Sequence, residues 1–277
     1  MIKAEILLHW ITVGLYALSS IGYVYSVAFQ KPRFLRWATI VALVGFMLHT
    51  GALGLRWIEA GHGPYLRIYE VYSSDAWILV LMFLLAQTWK PSIRAAGIGI
   101  MPAAFLFIGM GVMASPEIRE LPSSFKTYWL IVHIMFAKLA YGGAIIGTAL
   151  SALYLWKGKK EREGKVTKFY SRLPSLEVLD ELAYAFIAFG FLMIGIMIIA
   201  GSIWANQAWG SYWSWDPVET WSLISWFFYG IYLHLRITFG WRGPRPAWFS
   251  VICVLVLIFA LSGIGLFYDS AHSPYIK

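Results

Sequence analysis

The sequence contains few charged residues. Asp, Glu, Lys and Arg make up only 13% of the 277 residues, whereas a soluble domain carries about 25%. Apolar residues make up 60% of the chain, and they run together instead of alternating with polar ones. The shortage of charge therefore argues against a soluble domain and indicates an integral membrane protein, for which the bilayer is the solvent.

Cysteine is also scarce, because Cys253 is the only one. One thiol excludes a disulfide framework, and the chain has no C-x-x-C-H motif for covalent haem attachment, so it is not a c-type cytochrome. It has no Gly-rich phosphate loop and no H-E-x-x-H motif either. Since no Ser/His/acid set converges, no catalytic residue is predicted, and any thiol chemistry has to come from a partner.

Long apolar runs are abundant, and eight of them approach the length of about 20 residues that spans a bilayer. Little sequence separates them, so residues 1–277 are predicted to form a single all-α membrane domain with about eight transmembrane helices. The first run lacks a basic segment and a small-residue cleavage site, which predicts a first span and not a removable signal peptide. The runs cover residues 4–29, 35–57, 74–89, 94–114, 127–156, 182–204, 217–237 and 248–268.

The net charge of +8 comes mainly from basic residues in alternate loops, near Lys31, Lys90, 157–172 and Arg242. The positive-inside rule puts these loops in the cytoplasm of an inner membrane, or on the equivalent side of a thylakoid membrane. The charge is thus a topology signal that requires no nucleic acid, with binding of anionic membrane lipids as an alternative for 157–172. Both termini are predicted to face outward, together with the loops near 58–73, 115–126 and 205–216.

Tryptophan is concentrated in one segment, because residues 204–226 hold six of the 15 in the chain. An aromatic belt at the membrane interface explains one or two at a helix end, but not this density. A recessed aromatic platform at the outer surface explains it better, since indole faces stack on a large flat apolar ligand. A porphyrin and a quinone both fit. The tryptophans predicted to contact the ligand are Trp209, Trp213, Trp215 and Trp221.

The same segment contains a predicted helix start. Asp216 is a favourable N-cap, Pro217 suits the first helical position, and Glu219 completes a capping-box pattern. The two acids argue against an anionic ligand centred directly upon them. Asp216 is counted with the tryptophans as part of the ligand-binding segment, whose geometry the helix start is predicted to fix.

The stretch "WGSYWSWDPVETWSLISW" resembles the WWD signature, W-G-x-x-W-x-W-D, of haem-handling membrane proteins of cytochrome c maturation. With the following "YLHLR" it is most similar to the CcsA (ResC) family of System II. It is less similar to the CcmC and CcmF families, whose sequences diverge after the W-x-W-D core. The stretch "LRWIEAGHGPYLRIYE" at 55–70 also resembles the first outer loop of the CcsA family.

The resemblance implies a haem-handling subunit of a cytochrome c synthase. Such a subunit receives haem b in the membrane, presents it at the outer face and aids its attachment to apocytochrome c. The resemblance also implies a CcsB (ResB)-like membrane partner, without which a haem lyase activity is not expected, and a thiol-reducing protein. Two alternatives stay open: a HemX-like membrane regulator of haem biosynthesis, and a transporter for another flat ligand such as a quinone.

Three of the six histidines are candidate axial ligands of haem iron. His133 and His272 are predicted to lie on the outer side in separate elements, where they can approach a flat ligand from opposite faces. The resemblance implies the same pair, although "SAHSPY" departs from the family's usual G-L-H-S-Y. His234 lies roughly 22 Å deeper than Glu219 on one helix. The resemblance implies that His234 binds incoming haem with a histidine of the CcsB-like partner.

The other buried polar residues have less specific readings. His9, His49 and His62 are predicted to be hydrogen-bonded structural histidines. Lys138, a cation inside the fifth span, is predicted either to neutralise a carboxylate such as a haem propionate or to extend to the membrane surface. Four outer cations are predicted to meet propionates or to anchor the interface: Arg56, Arg67, Arg119 and Lys126.

Overall fold

The chain folds as a set of long helices. A computed structural model describes residues 2–165, 167–170 and 173–270, and within these ranges it contains no β-strand. The predicted all-α class is therefore confirmed. The α-helices are α1 (Ile2–Ala28), α2 (Pro32–Ala60), α3 (Ile68–Trp89), α4 (Gly97–Met113), α5 (Tyr128–Arg162), α6 (Leu176–Trp209), α7 (Pro217–Thr238), α8 (Pro244–Ile258) and α9 (Ile264–Phe267).

Seven helical stretches in the described chain are long and apolar enough to cross a membrane, which makes the protein a multi-pass membrane protein. They are α1, α2, α3, α5, α6, α4 with the short helix before it, and the run Pro244–Phe267. Helix α7 has 22 residues but is not among the seven, because Trp, Tyr, Ser and Thr lower its hydropathy. The eighth transmembrane helix therefore stays a prediction.

The start of α3 shows where hydropathy alone misplaces a boundary. The predicted run begins at 74, whereas the helix begins at Ile68. Its first turns carry Glu70, Ser73 and Asp75, which are buried inside the protein. Polar residues that are hydrogen-bonded to neighbouring helices can occupy a membrane-embedded helix, so their presence does not end it.

Small residues allow α5 and α6 to pack closely. A Cβ at Gly147 would lie 3.1 Å from the carbonyl oxygen of Ala183, and one at Gly143 would lie 3.1 Å from that of Phe186. Such contact between backbones is a usual way to join helices in a bilayer, where the hydrophobic effect gives no drive for helix association. The α5–α6 pair forms the support on which the candidate site is built.

Successive helices run in alternate directions and leave two ends of the bundle. The tryptophan end includes the connections 61–67, 114–127 and 210–216. The basic end includes 29–31, 90–96 and 239–243, together with the described residues 163–165, 167–170 and 173–175. At the tryptophan end, Trp204 Nε1 donates to Ser124 O at 3.0 Å. At the basic end, Thr167 Oγ1 donates to Gln30 Oε1 at 2.7 Å. The assignment of these ends to the two sides of a membrane stays a prediction.

A chain of buried polar side chains joins α1, α2 and α3. His9 Nε2 and His49 Nε2 lie 2.8 and 2.9 Å from Ser73 Oγ. His9 Nδ1 lies 2.9 Å from Glu5 Oε1, and His49 Nδ1 lies 3.2 Å from Tyr16 OH. All four contacts can be hydrogen bonds at once if Tyr16 donates to His49, His49 to Ser73, Ser73 to His9, and His9 to Glu5. The prediction that His9 and His49 are hydrogen-bonded structural residues is confirmed.

Two further sequence expectations meet the structure near this network. His62 is hydrogen-bonded, with Nδ1 2.8 Å from Gly63 O, as predicted. Arg56, by contrast, is neither a propionate partner nor an interfacial anchor, so that expectation was wrong. Its guanidinium is buried, and Nε donates to Glu70 Oε1 at 2.9 Å. Its Nη1 also donates to Pro116 O, which ties α2 to the connection before α5.

Candidate ligand site at the tryptophan end

A cavity of about 420 Å³ lies at the tryptophan end, between α3, α5, α6, α7 and the C-terminal helix. This main cavity falls within the range of about 300–1,000 Å³ typical of small-molecule sites. Its walls are mostly apolar and aromatic, with a histidine, a lysine and an aspartate among them. The residues that matter for its chemistry are Tyr72, Asp75, His133, Lys138, Tyr141 and Trp204.

His133 is held in one orientation on the wall of the main cavity. It lies in the second turn of α5, and its Nδ1 donates to Met197 O of α6 at 2.8 Å. A carbonyl acceptor at Nδ1 places the ring proton there and the lone pair on Nε2, which is the usual arrangement for an imidazole that ligates a metal. The hydrogen bond to Met197 O therefore suits the predicted ligand role of His133, which stays a prediction.

Gly201 makes this orientation of His133 possible. A Cβ at position 201 would lie 2.5 Å from His133 Nδ1 and 2.9 Å from Cε1, which no side chain tolerates. Met197, Gly201 and Trp204 follow one another at i, i+4 and i+7, so they share one face of α6. The indole of Trp204 lies nearly parallel to the imidazole, with 6.3 Å between ring centroids and 27° between planes.

A smaller cavity of about 40 Å³ shares His133 and Trp204 with the main cavity. Its lining also includes Tyr212, Trp213 and Glu219. His133 is therefore a wall residue of both cavities, and the smaller one includes part of the tryptophan segment. Among the predicted tryptophans, Trp213 is the one that lines either of these cavities.

The remaining tryptophans do not form one flat platform in the described chain. Trp209 packs edge-on against Trp204 at 5.1 Å, and Trp221 packs edge-on against Phe259 at 4.5 Å. Trp215 lies edge-on to Trp213 and is 69% exposed. Trp204, which sequence reasoning did not single out as a contact residue, is the most buried of the group. Its spacing from Met197 and Gly201 along α6 was the available signal.

The tryptophan segment is fixed by the predicted capping box. Asp216 Oδ1 accepts from Val218 N at 2.9 Å, and Glu219 Oε2 accepts from Asp216 N at 3.2 Å. Glu219 also accepts from Ser214 N at 2.8 Å. These bonds hold Trp215 in a left-handed conformation with φ of 58°, which is strained for a bulky residue. The helix-start prediction is confirmed, whereas the role of Asp216 towards a ligand stays a prediction.

Lys138 forms an ion pair inside the protein. Its Nζ donates to Asp75 Oδ1 of α3 at 2.6 Å, and both side chains are buried on the wall of the main cavity. Of the two predicted roles for Lys138, the structure bears out neutralisation of a carboxylate, and that carboxylate belongs to the protein. The pair also links α3 to α5 at the wall of the cavity.

The other two predicted ligands do not join His133 in the described chain. His234 is exposed near the basic end of α7, where its Nδ1 lies 3.2 Å from Thr238 Oγ1. It lies sixteen residues after Val218, a residue of the main cavity, and hence roughly 24 Å away along the helix. His272 lies outside the described residues. Ser270, two positions before it in the sequence, lines the main cavity.

Three comparisons with known proteins agree with each other. The family model described as Cytochrome C assembly protein matches residues 65–272. The Cytochrome c biogenesis protein CcsA of Chlamydomonas reinhardtii is 34% identical over 95% of this chain and 73% of its own length. The protein of that name from Guillardia theta is 32% identical over 92% of this chain and 91% of its own. That from Parasynechococcus marenigrum (strain WH8102) is 36% identical over 84% of each chain.

The fold is also that of a solved structure. A chain described as Cytochrome c Heme Lyase CcmF superposes with a TM-score of 0.74 over 99% of this chain. Identity between the two is 16%, and this chain spans 48% of the length of that one. The likeness therefore establishes a shared helical fold over about half of the larger protein.

Proposed function

The chain belongs to the CcsA family of cytochrome c biogenesis proteins, and we propose that it holds haem at the tryptophan end and presents it for attachment to apocytochrome c. Haem is here a substrate that is passed on, and not a resident cofactor. The three relatives compared above are named as cytochrome c biogenesis proteins, and they give no support to the alternative of a HemX-like regulator.

The observation that carries the proposal is the placement of His133. Its imidazole lies on the wall of a cavity of about 420 Å³ and its Nδ1 donates to a backbone carbonyl, so Nε2 is the nitrogen offered to iron. A quinone has no use for an axial nitrogen, and this favours haem over that alternative. The apolar walls would keep water from the macrocycle.

The second axial position is assigned to His272. Ser270, two residues earlier in the sequence, lines the same cavity, which supports a C-terminal histidine as the ligand on the opposite face. Trp204 and Trp213 flank His133 and would limit movement of the ring system. Trp209, Trp215 and Trp221 would contribute at the margin of the segment, whose position the Asp216–Glu219 capping box fixes.

Bound haem supplies an iron whose redox state controls attachment and vinyl groups that react with thiols. The residues of this chain supply position, because none of those that the structure describes forms a general acid–base or nucleophilic set. Holding two reactants in register lowers the barrier to their reaction substantially. The thiols would come from apocytochrome c, kept reduced by a separate thiol-reducing protein.

His234 is proposed as part of a different haem position. It is exposed on α7, roughly 18 Å along the helix from Ser222 of the main cavity, where a neighbouring membrane protein can reach it. A CcsB-like partner would contribute the second ligand there. In this arrangement haem enters near the basic end and leaves from the tryptophan end, which is proposed to be the outer side of an inner or thylakoid membrane.

The experiment is an absorption spectrum of the chain purified in detergent with a CcsB-like partner. We expect a six-coordinate bis-histidine spectrum that is lost or shifted in His133→Gly and restored by added imidazole. His62→Ala is the matched control, because His62 lies at the same end, is hydrogen-bonded and lines neither described cavity. If His133→Gly gives the wild-type spectrum without added imidazole, His133 is not an axial ligand of the haem.

A further inference from the structure

We propose that Asp75 and Lys138 form a recognition site for one propionic acid group of the porphyrin, an inference that rests on the proposed function. Both residues line the main cavity together with His133. Burying the two charges of an ion pair inside a membrane protein is costly in desolvation. The pair joins α3 to α5 and also lines the cavity, which indicates a use beyond joining the two helices.

The pair leaves one donor and one acceptor unsatisfied. Lys138 Nζ donates to Asp75 Oδ1 at 2.6 Å and to Val71 O at 3.3 Å, which uses two of its three N–H groups. Asp75 Oδ2 is buried and has no hydrogen-bond partner among the described residues. Buried polar atoms of this kind are rare in folded proteins, because each has lost its hydrogen bonds to water without a replacement.

A carboxylic acid satisfies both atoms at once. Its O–H donates to Asp75 Oδ2, and its carbonyl oxygen accepts from the remaining N–H of Lys138. The protonated form is the one that fits, because a second carboxylate beside Asp75 would be repelled. The cavity then contains only one positive and one negative charge, as it does without the ligand.

The molecule that carries the acid must also present a group to His133, and this requirement identifies the kind of molecule. His133 and Lys138 are five residues apart on α5, a separation of roughly 7.5 Å along the helix axis. Aromatic side chains including Tyr72, Tyr141 and Trp204 form walls of the cavity, which suits a flat ring system. Haem carries a central iron and peripheral carboxyl groups on one such ring, and so can engage both sites.

The test compares haem with its dimethyl ester, which differs only at the carboxyl groups. The wild-type chain with its partner is expected to bind haem about tenfold to a hundredfold more tightly than the ester, as for hydrogen bonds to charged groups. Iron-free protoporphyrin IX, followed by fluorescence, is expected to show the same preference over its own ester. In Asp75→Leu/Lys138→Met, which removes both charges together, the preference is expected to fall to about one.

A second buried pair provides the matched control. Arg56 and Glu70 are ion-paired at 2.9 Å and line none of the described cavities. Arg56→Met/Glu70→Met is therefore expected to keep the full preference for the free acid, even where it lowers stability. Loss of the preference in this control as well would assign the effect to general destabilisation and overturn the proposal.

The outcomes separate this inference from the proposed function. Equal affinity for haem and ester in the wild type, or an undiminished preference in Asp75→Leu/Lys138→Met, overturns the recognition site alone. His133→Gly lacks the proposed iron ligand. A preference for the free acid that is retained in this variant supports the recognition site independently of iron ligation. If neither haem nor protoporphyrin binds, the proposed function fails and this inference fails with it.

Discussion

At the scale of single residues, the candidate site depends on a glycine, which has no side chain. Gly201 leaves room for the imidazole of His133, which would otherwise meet a Cβ at 2.5 Å. The hydrogen bond from His133 Nδ1 to Met197 O therefore requires glycine at position 201. The orientation of the proposed iron ligand is thus fixed from a neighbouring helix, which is a common arrangement for metal-binding histidines.

Gly201→Ala should disturb the haem spectrum although His133 is still present. The added methyl displaces the imidazole from Met197 O, so we expect a weakened low-spin signal similar to that of His133→Gly. Gly109→Ala is the control, because a Cβ there meets nothing within 4 Å. The measurement is the absorption spectrum of each protein purified with its partner. An unchanged spectrum in Gly201→Ala would show that haem binding does not depend on the orientation of His133 described here.

At the scale of elements, the start of α7 determines where the tryptophan segment lies. The capping box ties Asp216, Glu219 and Ser214 together within six residues. Trp213 and Trp215 stand immediately before it, and Val218 and Ser222 line both described cavities at this end. A loose helix start would therefore move residues on the cavity wall as well as the indoles.

Asp216→Ala should destabilise this helix start, because the N-cap acceptor for Val218 N is lost. The expected cost is about 0.5–2 kcal/mol, measured as a lower thermal midpoint of helix signal in detergent. Asp216→Asn retains a side-chain oxygen and should lie close to the wild type. Equal destabilisation by both substitutions would show that the negative charge of Asp216, and not its side-chain acceptor, stabilises the helix start.

At the scale of the whole molecule, alternating helices separate two chemically different ends. The tryptophan end carries His133, both described cavities at that end and the capping box, while the basic end carries most of the cationic connections. Positive residues are retained on the cytoplasmic side of membranes. The separation thus predicts that haem is presented on the side opposite to the cytoplasm, where a secreted apocytochrome would meet it.

Labelling of single cysteines tests this orientation. With Cys253→Ser as background, Glu117→Cys at the tryptophan end should react with a membrane-impermeant maleimide in intact cells. Lys165→Cys at the basic end should react only after the membrane is permeabilised. The two sites are matched, since their native side chains are 62% and 65% exposed. The reverse pattern would invert the proposed direction of haem movement.

Much of this architecture followed from local patterns. Apolar runs predicted helices because a helix forms hydrogen bonds between its own backbone polar groups. The capping box at Asp216 was predicted from residues that are neighbours in the sequence. Errors arose where distant groups decide the outcome. Helix α3 begins at Ile68, before the predicted run, because its polar first turns are satisfied by α1, α2 and α5. Arg56 is buried for the same reason, through Glu70 on another helix.

The sequence by itself determined the membrane environment, the helical class, the concentration of tryptophan and the candidacy of His133, since each depends on composition or on spacing along one helix. The tertiary structure alone decided that Trp204 is the most buried tryptophan beside His133 and that Lys138 pairs with Asp75, 63 residues away. Helical periodicity specifies which side chains share a face. It does not specify which faces meet, because that depends on packing among all the helices at once.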